Sequence, residues 1–145
     1  MTATDGPGYL TWGHAAARLL RTARLEASRS GHSDVLPAHL LLAALDQPEL
    51  HQALRVLGAA PDVYGIRARL AAASLRPSEF SEALPLSPSA AEALESAREH
   101  REGEAFELLF LLVLKATLED EACRVLLHRA GTDPEALALL LARVD

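Results

Sequence analysis

Six histidines, one cysteine and a series of evenly stepped glutamates are the side chains here with chemistry to offer. His14, His32, His39 and His51 fall in the first half of the chain. No His-x3-His pair and no His-Glu-x-x-His motif occurs, and those are the spacings that bring two imidazoles onto one metal ion. No metal and no cofactor is therefore expected. Cys123 is alone, so it closes no internal disulfide and builds no cysteine-type zinc site. As a nucleophile it would have to borrow a distant histidine, and it reads as a packed thiol standing in for a small residue. Paired carboxylates for hydrolysis need a cleft, and nothing in the sequence locates one. Catalysis is not expected. Glu92, Glu95, Glu99 and Glu102 step by three and four residues, so they share one helix face. Such a strip prefers water, with a basic partner segment as the sharper reading. Arg18, Arg21 and Arg29, with Arg24 nearby, line the outer side of the first helix in the same way, as a solvated face or the seat of an acidic partner.

The elements that must position these groups are organised around two apolar stretches, Leu36 to Leu45 and Phe106 to Leu114. Apolar residues fill every angular position in both, so each must be buried on all sides. Leu and Ala dominate and β-branched residues are nearly absent, which favours helix over buried strand. Fully burying one Leu contributes roughly 1.5 to 3 kcal/mol, so these two segments offer the most stabilising burial the chain can arrange. The remaining helices are expected to wrap them, in an all-α fold.

Residues 1–10 read as a flexible leader. A first helix follows from a Thr11 cap to a stop at Gly31, and Pro37 opens the first core helix. Asp46 with Pro48 opens a third helix that closes at Gly58, and a fourth runs from Val63 to Ala73. Residues 74–86, with Pro77 and Pro85, read as a connector. The pattern then restarts. Ser87-Pro88 opens a fifth helix, Phe106 to Ala116 is the second core helix, and Thr117 with Asp120 has the spacing of a capping box for a seventh that Gly131 ends. Asp133-Pro134 opens the last. Gly31 matches Gly103, Gly58 matches Gly131, Leu54 matches Leu127 and Pro61 matches Pro134, at a separation of 72 or 73 residues. A constant offset across several helices argues for a duplicated four-helix unit, residues 11–73 and 87–145, in one eight-helix domain.

The net charge of −6 is unevenly spread. Residues 1–76 hold eight Arg and six acids, whereas residues 77–145 hold six basic residues and fourteen acids. The second half is thus a poor surface for nucleic acid, whose binding needs clustered cations. The N-terminal segment lacks a basic and apolar leader pattern, and no apolar run approaches a membrane span. A cytoplasmic protein in a reducing compartment is expected.

With the duplication laid out, the chain resembles the N-terminal domain of Clp-type ATPases, the double Clp repeat. The residues that carry the resemblance are Ala23, Ala27 and Gly31-His32, then His39-Leu40-Leu41-Leu42-Ala43-Ala44-Leu45, then Leu54-Arg55-Val56-Leu57-Gly58. The second half keeps Ser87-Pro88, Gly103, Leu111-Leu112 and Cys123-Arg124-Val125-Leu126 ahead of Gly131. The resemblance implies a substrate- or adaptor-docking module that sits before an unfoldase motor, and in some members a site for phosphorylated arginine that uses the motif's glutamate. Ala38 stands where the family has that glutamate, and the second position falls near Phe110, with Leu111 in place of His. Phosphoarginine recognition is therefore not carried over. Asp34 and Glu107 are the acids near the starts of the core helices that would substitute, and His39 either caps its helix, donating to a backbone carbonyl, or lines a peptide groove between the repeats.

No Gly-Lys-Ser/Thr loop exists, since the only lysine is Lys115, so a nucleotide-driven motor is not encoded here. The leading expectation is a non-catalytic protein- or peptide-binding module, either a docking domain or a free-standing adaptor or competitor of a Clp unfoldase, which the Met1 start and the end at Asp145 favour. The runner-up is a small helical regulator that meets nucleic acid or an acidic partner through the Arg face of the first helix. An enzyme using Cys123 comes last.

Overall fold

A computed structural model describes residues 7–58, 62–72, 84–101 and 106–142. The first half contributes α1 (Pro7–Arg29), α2 (Pro37–Leu45), α3 (Pro48–Leu57) and α4 (Val63–Ala72). The second contributes α5 (Pro88–Arg101), α6 (Phe106–Thr117), α7 (Glu121–Arg129) and α8 (Pro134–Leu141). Among the described residues there is no strand, only an isolated parallel bridge between Val35 and Leu86. The fold is all-α, as its composition and periodicity required.

The two apolar stretches form the centre. All nine residues of α2 are buried, and Phe110, Val113 and Leu114 of α6 have no exposed surface. The two helices pack against each other, with α1 against both, α5 chiefly against α6, and α3, α4 and α7 around the outside. Leu19, Ala23 and Ala27 form the inward stripe of α1, and their small side chains let it approach closely.

The duplication is visible residue by residue around α3 and α7. Gln47 and Asp120 stand at the N-caps, Leu50 and Cys123 are buried one turn on, Leu54 and Leu127 are buried a turn later, and Gly58 and Gly131 follow with φ of 89° and 88°. Each pair is separated by 73 residues. Gly31 and Gly131 close α1 and α7 alike. The amide after each glycine donates to the carbonyl five residues back, His32 to Ala27 at 3.0 Å and Thr132 to Leu127 at 2.9 Å. Both glycines sit at positive φ, where a side chain would be strained. Gly103 and Pro61, which the repeat pattern pairs with Gly31 and Pro134, lie outside the described residues.

Several local expectations are corrected. The first helix begins at Pro7, upstream of Thr11 and inside the stretch read as a leader. Asp46 keeps right-handed helical backbone and ends α2, so the chain first turns extended at Gln47, which is the N-cap of α3. Thr117 belongs to the last turn of α6, where its hydroxyl donates to the Leu114 carbonyl at 2.8 Å. The cap of α7 is Asp120 itself, whose carboxylate accepts from the Cys123 amide at 3.1 Å. Cys123 occupies the place that Leu50 fills in the first half, and not that of a small residue.

A clip joins the halves. The Val35 amide donates to the Pro85 carbonyl and the Ser87 amide donates to the Val35 carbonyl, both at 2.8 Å. The start of α2 is thereby fastened to the start of α5, where the Ser87 hydroxyl accepts from the Ala90 amide at 3.1 Å.

Candidate functional site

The first turn of α2 begins at Leu36, an N-cap whose side chain has no acceptor, followed by Pro37, which has no N–H. The missing acceptor comes from His39. Its Nδ1 accepts the Leu36 N–H at 2.9 Å, the reach-back that Glu or Gln makes in a capping box. His39 was expected to donate to a carbonyl if it served as a cap. It accepts instead, because the unmet group at a helix start is an amide and not a carbonyl.

An imidazole that accepts at Nδ1 carries its proton on Nε2. That Nε2 is buried without a partner among the described residues, as is Nδ1 of His32. The two rings meet edge to face with centroids 4.9 Å apart. Burial first, and the neighbouring His32 second, lower the pKa of His39 to about 4. The ring is fully enclosed, so it shapes the surface from behind and does not touch a partner directly.

On the surface side, the start of α2 faces a cleft of about 420 Å³. Pro37 forms one wall, α5 supplies Ser89, Glu92 and Ser96, and the α6–α7 turn supplies Glu119 and Asp120. Three carboxylates and several hydroxyls thus converge where the two halves meet. By sequence Glu92 belongs to a solvated strip and Asp120 to a helix cap, and neither is marked as sharing a cleft with Glu119. Glu119 and Asp120 join Glu92 only because α6 packs against α5, so no spacing along the chain marks them.

Of the acids proposed at the core-helix starts, Asp34 is half-buried in the α1–α2 loop and is not among the residues lining this cleft. Glu107 lies in the first turn of α6, and its side chain is outside the described residues. On α5, Glu92 and Glu95 are exposed, while Glu102 and the side chain of Glu99 lie outside the described residues.

The arginine face of α1 is partly engaged within the chain. Arg18 contacts Gln47 at 2.8 Å and Glu49 at 2.6 Å, and lies 5.6 Å from the centre of the Phe110 ring. The hydrogen bond from Arg18 holds the Glu49 carboxyl below its ordinary range. Arg24 donates to the Leu84 carbonyl at 2.9 Å, and Arg29 pairs with Glu26. Arg18 and Arg24 thus tie α1 to α3 and to the connector, while Arg21 and Arg29 keep exposed surface.

Cys123 is fully buried, and burial pushes its thiol up, with the Asp120 carboxylate adding to the effect. A thiol kept protonated and enclosed is a packing group. No helix among the described residues is long and apolar enough to cross a membrane.

The described residues thus form an all-α, duplicated domain with a cleft lined by residues of both halves. A profile of the Clp repeat (R) N-terminal domain family matches residues 13–106, and the chain belongs to that family. Domains of this family dock the substrates and adaptors of Clp systems. No curated protein matches the chain.

Proposed function

We propose that this chain is a non-catalytic docking domain of a cytoplasmic Clp system, serving as an adaptor or competitor for the proteins such a system receives. The observation that supports this most is the cleft at the seam, which carries Glu92, Glu119 and Asp120 on elements of the second half and Pro37 on the first. Converging carboxylates at a partly enclosed site attract a cation more strongly than the same charges scattered over open surface. The occupant is an extended protein segment presenting an Arg or Lys side chain, with Ser89 on the cleft wall to meet its backbone. Asp34 and Glu107, at the starts of the two central helices, are further candidate contacts. His39 contributes from inside by fixing the turn that carries Pro37.

The test is an NMR titration with an unstructured Ala/Ser peptide bearing one Arg. Amide shifts are expected at Ser89, Glu92, Ser96 and Glu119. Glu92→Lys and Glu119→Lys are each expected to weaken binding about tenfold, the loss of one charge-assisted contact worth roughly 1.5 kcal/mol. Glu95→Lys makes the same charge change on the same helix but outside the cleft, and is expected to have little effect. Equal weakening by all three would mean that bulk charge alone is being read, and the cleft would have no docking role.

A further inference from the structure

We propose that the His32–His39 pair is an acid-released latch on the first turn of α2, closed while Nδ1 of His39 accepts the Leu36 amide and opened when that nitrogen takes a proton.

The geometry leaves a proton one place to go. With Nε2 already carrying hydrogen, a second proton must sit on Nδ1, where it would face the Leu36 N–H across 2.9 Å. Two donors cannot share that contact, so the bond breaks. The resulting cation would be enclosed, with Nε2 still unpartnered and the His32 ring against its edge. A buried, unpaired charge is expelled towards water rather than tolerated. The elements around α2 also carry charge, but much of it is committed elsewhere. Glu26 of α1 pairs with Arg67 of α4, Arg18 of α1 pairs with Glu49 of α3, and Arg124 of α7 donates to the Leu118 carbonyl. Glu92 of α5 lines the cleft. Among the described residues, His32 is the one whose charge acts on the His39 ring.

Release has somewhere to travel. Leu36 follows Val35, whose two hydrogen bonds hold the start of α5, and precedes Pro37, the wall of the cleft. Turning His39 outward therefore loosens the seam between the halves. This consequence for docking rests on the function proposed above, whereas the latch itself needs no partner.

The direction with pH follows from linkage. His39 is lowered to about 4 when enclosed and returns to its ordinary 6.5 when released. The latch is fully held above 6.5, weakens as pH falls, and changes no further below about 4. Between pH 7.5 and pH 5 the opening equilibrium rises roughly 30-fold.

Amide hydrogen exchange on the full chain, corrected for intrinsic rates, reads this directly. Protection at the Leu36 amide is expected to fall about 30-fold over that interval, while Leu127 in α7 changes little. His39→Gln keeps an acceptor at the same place without a titrating ring, and its Leu36 amide is expected to hold steady. Flat protection in the natural protein, an equal fall in His39→Gln, or a matching fall at Leu127 would each overturn the latch. If His39→Gln does not fold, the imidazole nitrogen signals of the natural protein decide. A proton on Nε2 with a midpoint below 5 upholds the proposal, and a midpoint near 6.5 ends it. All of these readings are made without peptide, so a failed docking titration leaves them intact.

Discussion

Cys123 takes the place of Leu50 in the second half, and a thiol is smaller than an isobutyl group, so the surrounding helices close around it and leave it no exposed surface. With its thiol pushed up by burial, the reactive thiolate is scarce. The native protein is expected to leave iodoacetamide unreacted at neutral pH and to consume one equivalent once unfolded in guanidinium; rapid labelling of the folded chain would contradict the burial. That Cys123 closes no internal disulfide was legible from its being alone. Which residue it replaces was not, because depth in a bundle follows from register against neighbouring helices. His39 shows the same division. A role at the helix start was readable from its neighbours Leu36 and Pro37, but acceptance of the Leu36 amide, and the contact with His32, depend on how the α1–α2 loop folds back.

At the scale of elements, α4 is held by charge as well as by Ile66. Glu26 of α1, only 2% exposed, accepts from Arg67 of α4 at 2.8 Å, with Arg29 as a longer and more exposed second partner. Removing Arg67 leaves the buried Glu26 carboxylate with only the longer Arg29 contact at 3.4 Å, a cost of about 1 to 3 kcal/mol. Arg67→Ala is therefore expected to lower the urea midpoint sharply, and Arg67→Ala with Glu26→Leu to recover much of the loss. A double variant as unstable as the single one would show that the helices depend on some other contact. Nothing in the sequence marked Glu26. It lies between Ala23 and Ala27 on a stripe read as apolar, and its partner is 41 residues away. The helix ends were more legible where the cap is a local bond, as at Ser87 and Asp133. They were misplaced by a residue or more at Asp46 and Thr117, where the preceding helix continues past the point at which a polar side chain suggested a start.

In the whole molecule the two halves share one centre. α2 packs on α6, and α1 packs on both, so neither half can bury its apolar helix without the other. A fragment of residues 1–73 would expose the side of α2 that rests on α6. It is expected to lose most of its helical circular dichroism and to melt without a cooperative transition, whereas an independently folded fragment would show that the halves are separate domains. The sequence alone determined that the protein is helical, duplicated and built on two apolar rods, because periodicity, composition and glycine spacing are properties of the chain itself. Only the tertiary structure brought Pro37, Glu92 and Glu119 onto one cleft, since they have no relation along the chain and become neighbours through packing. It also decided that Arg18 and Arg24 of α1 serve the fold, because their partners Gln47, Glu49 and Leu84 arrive from distant segments.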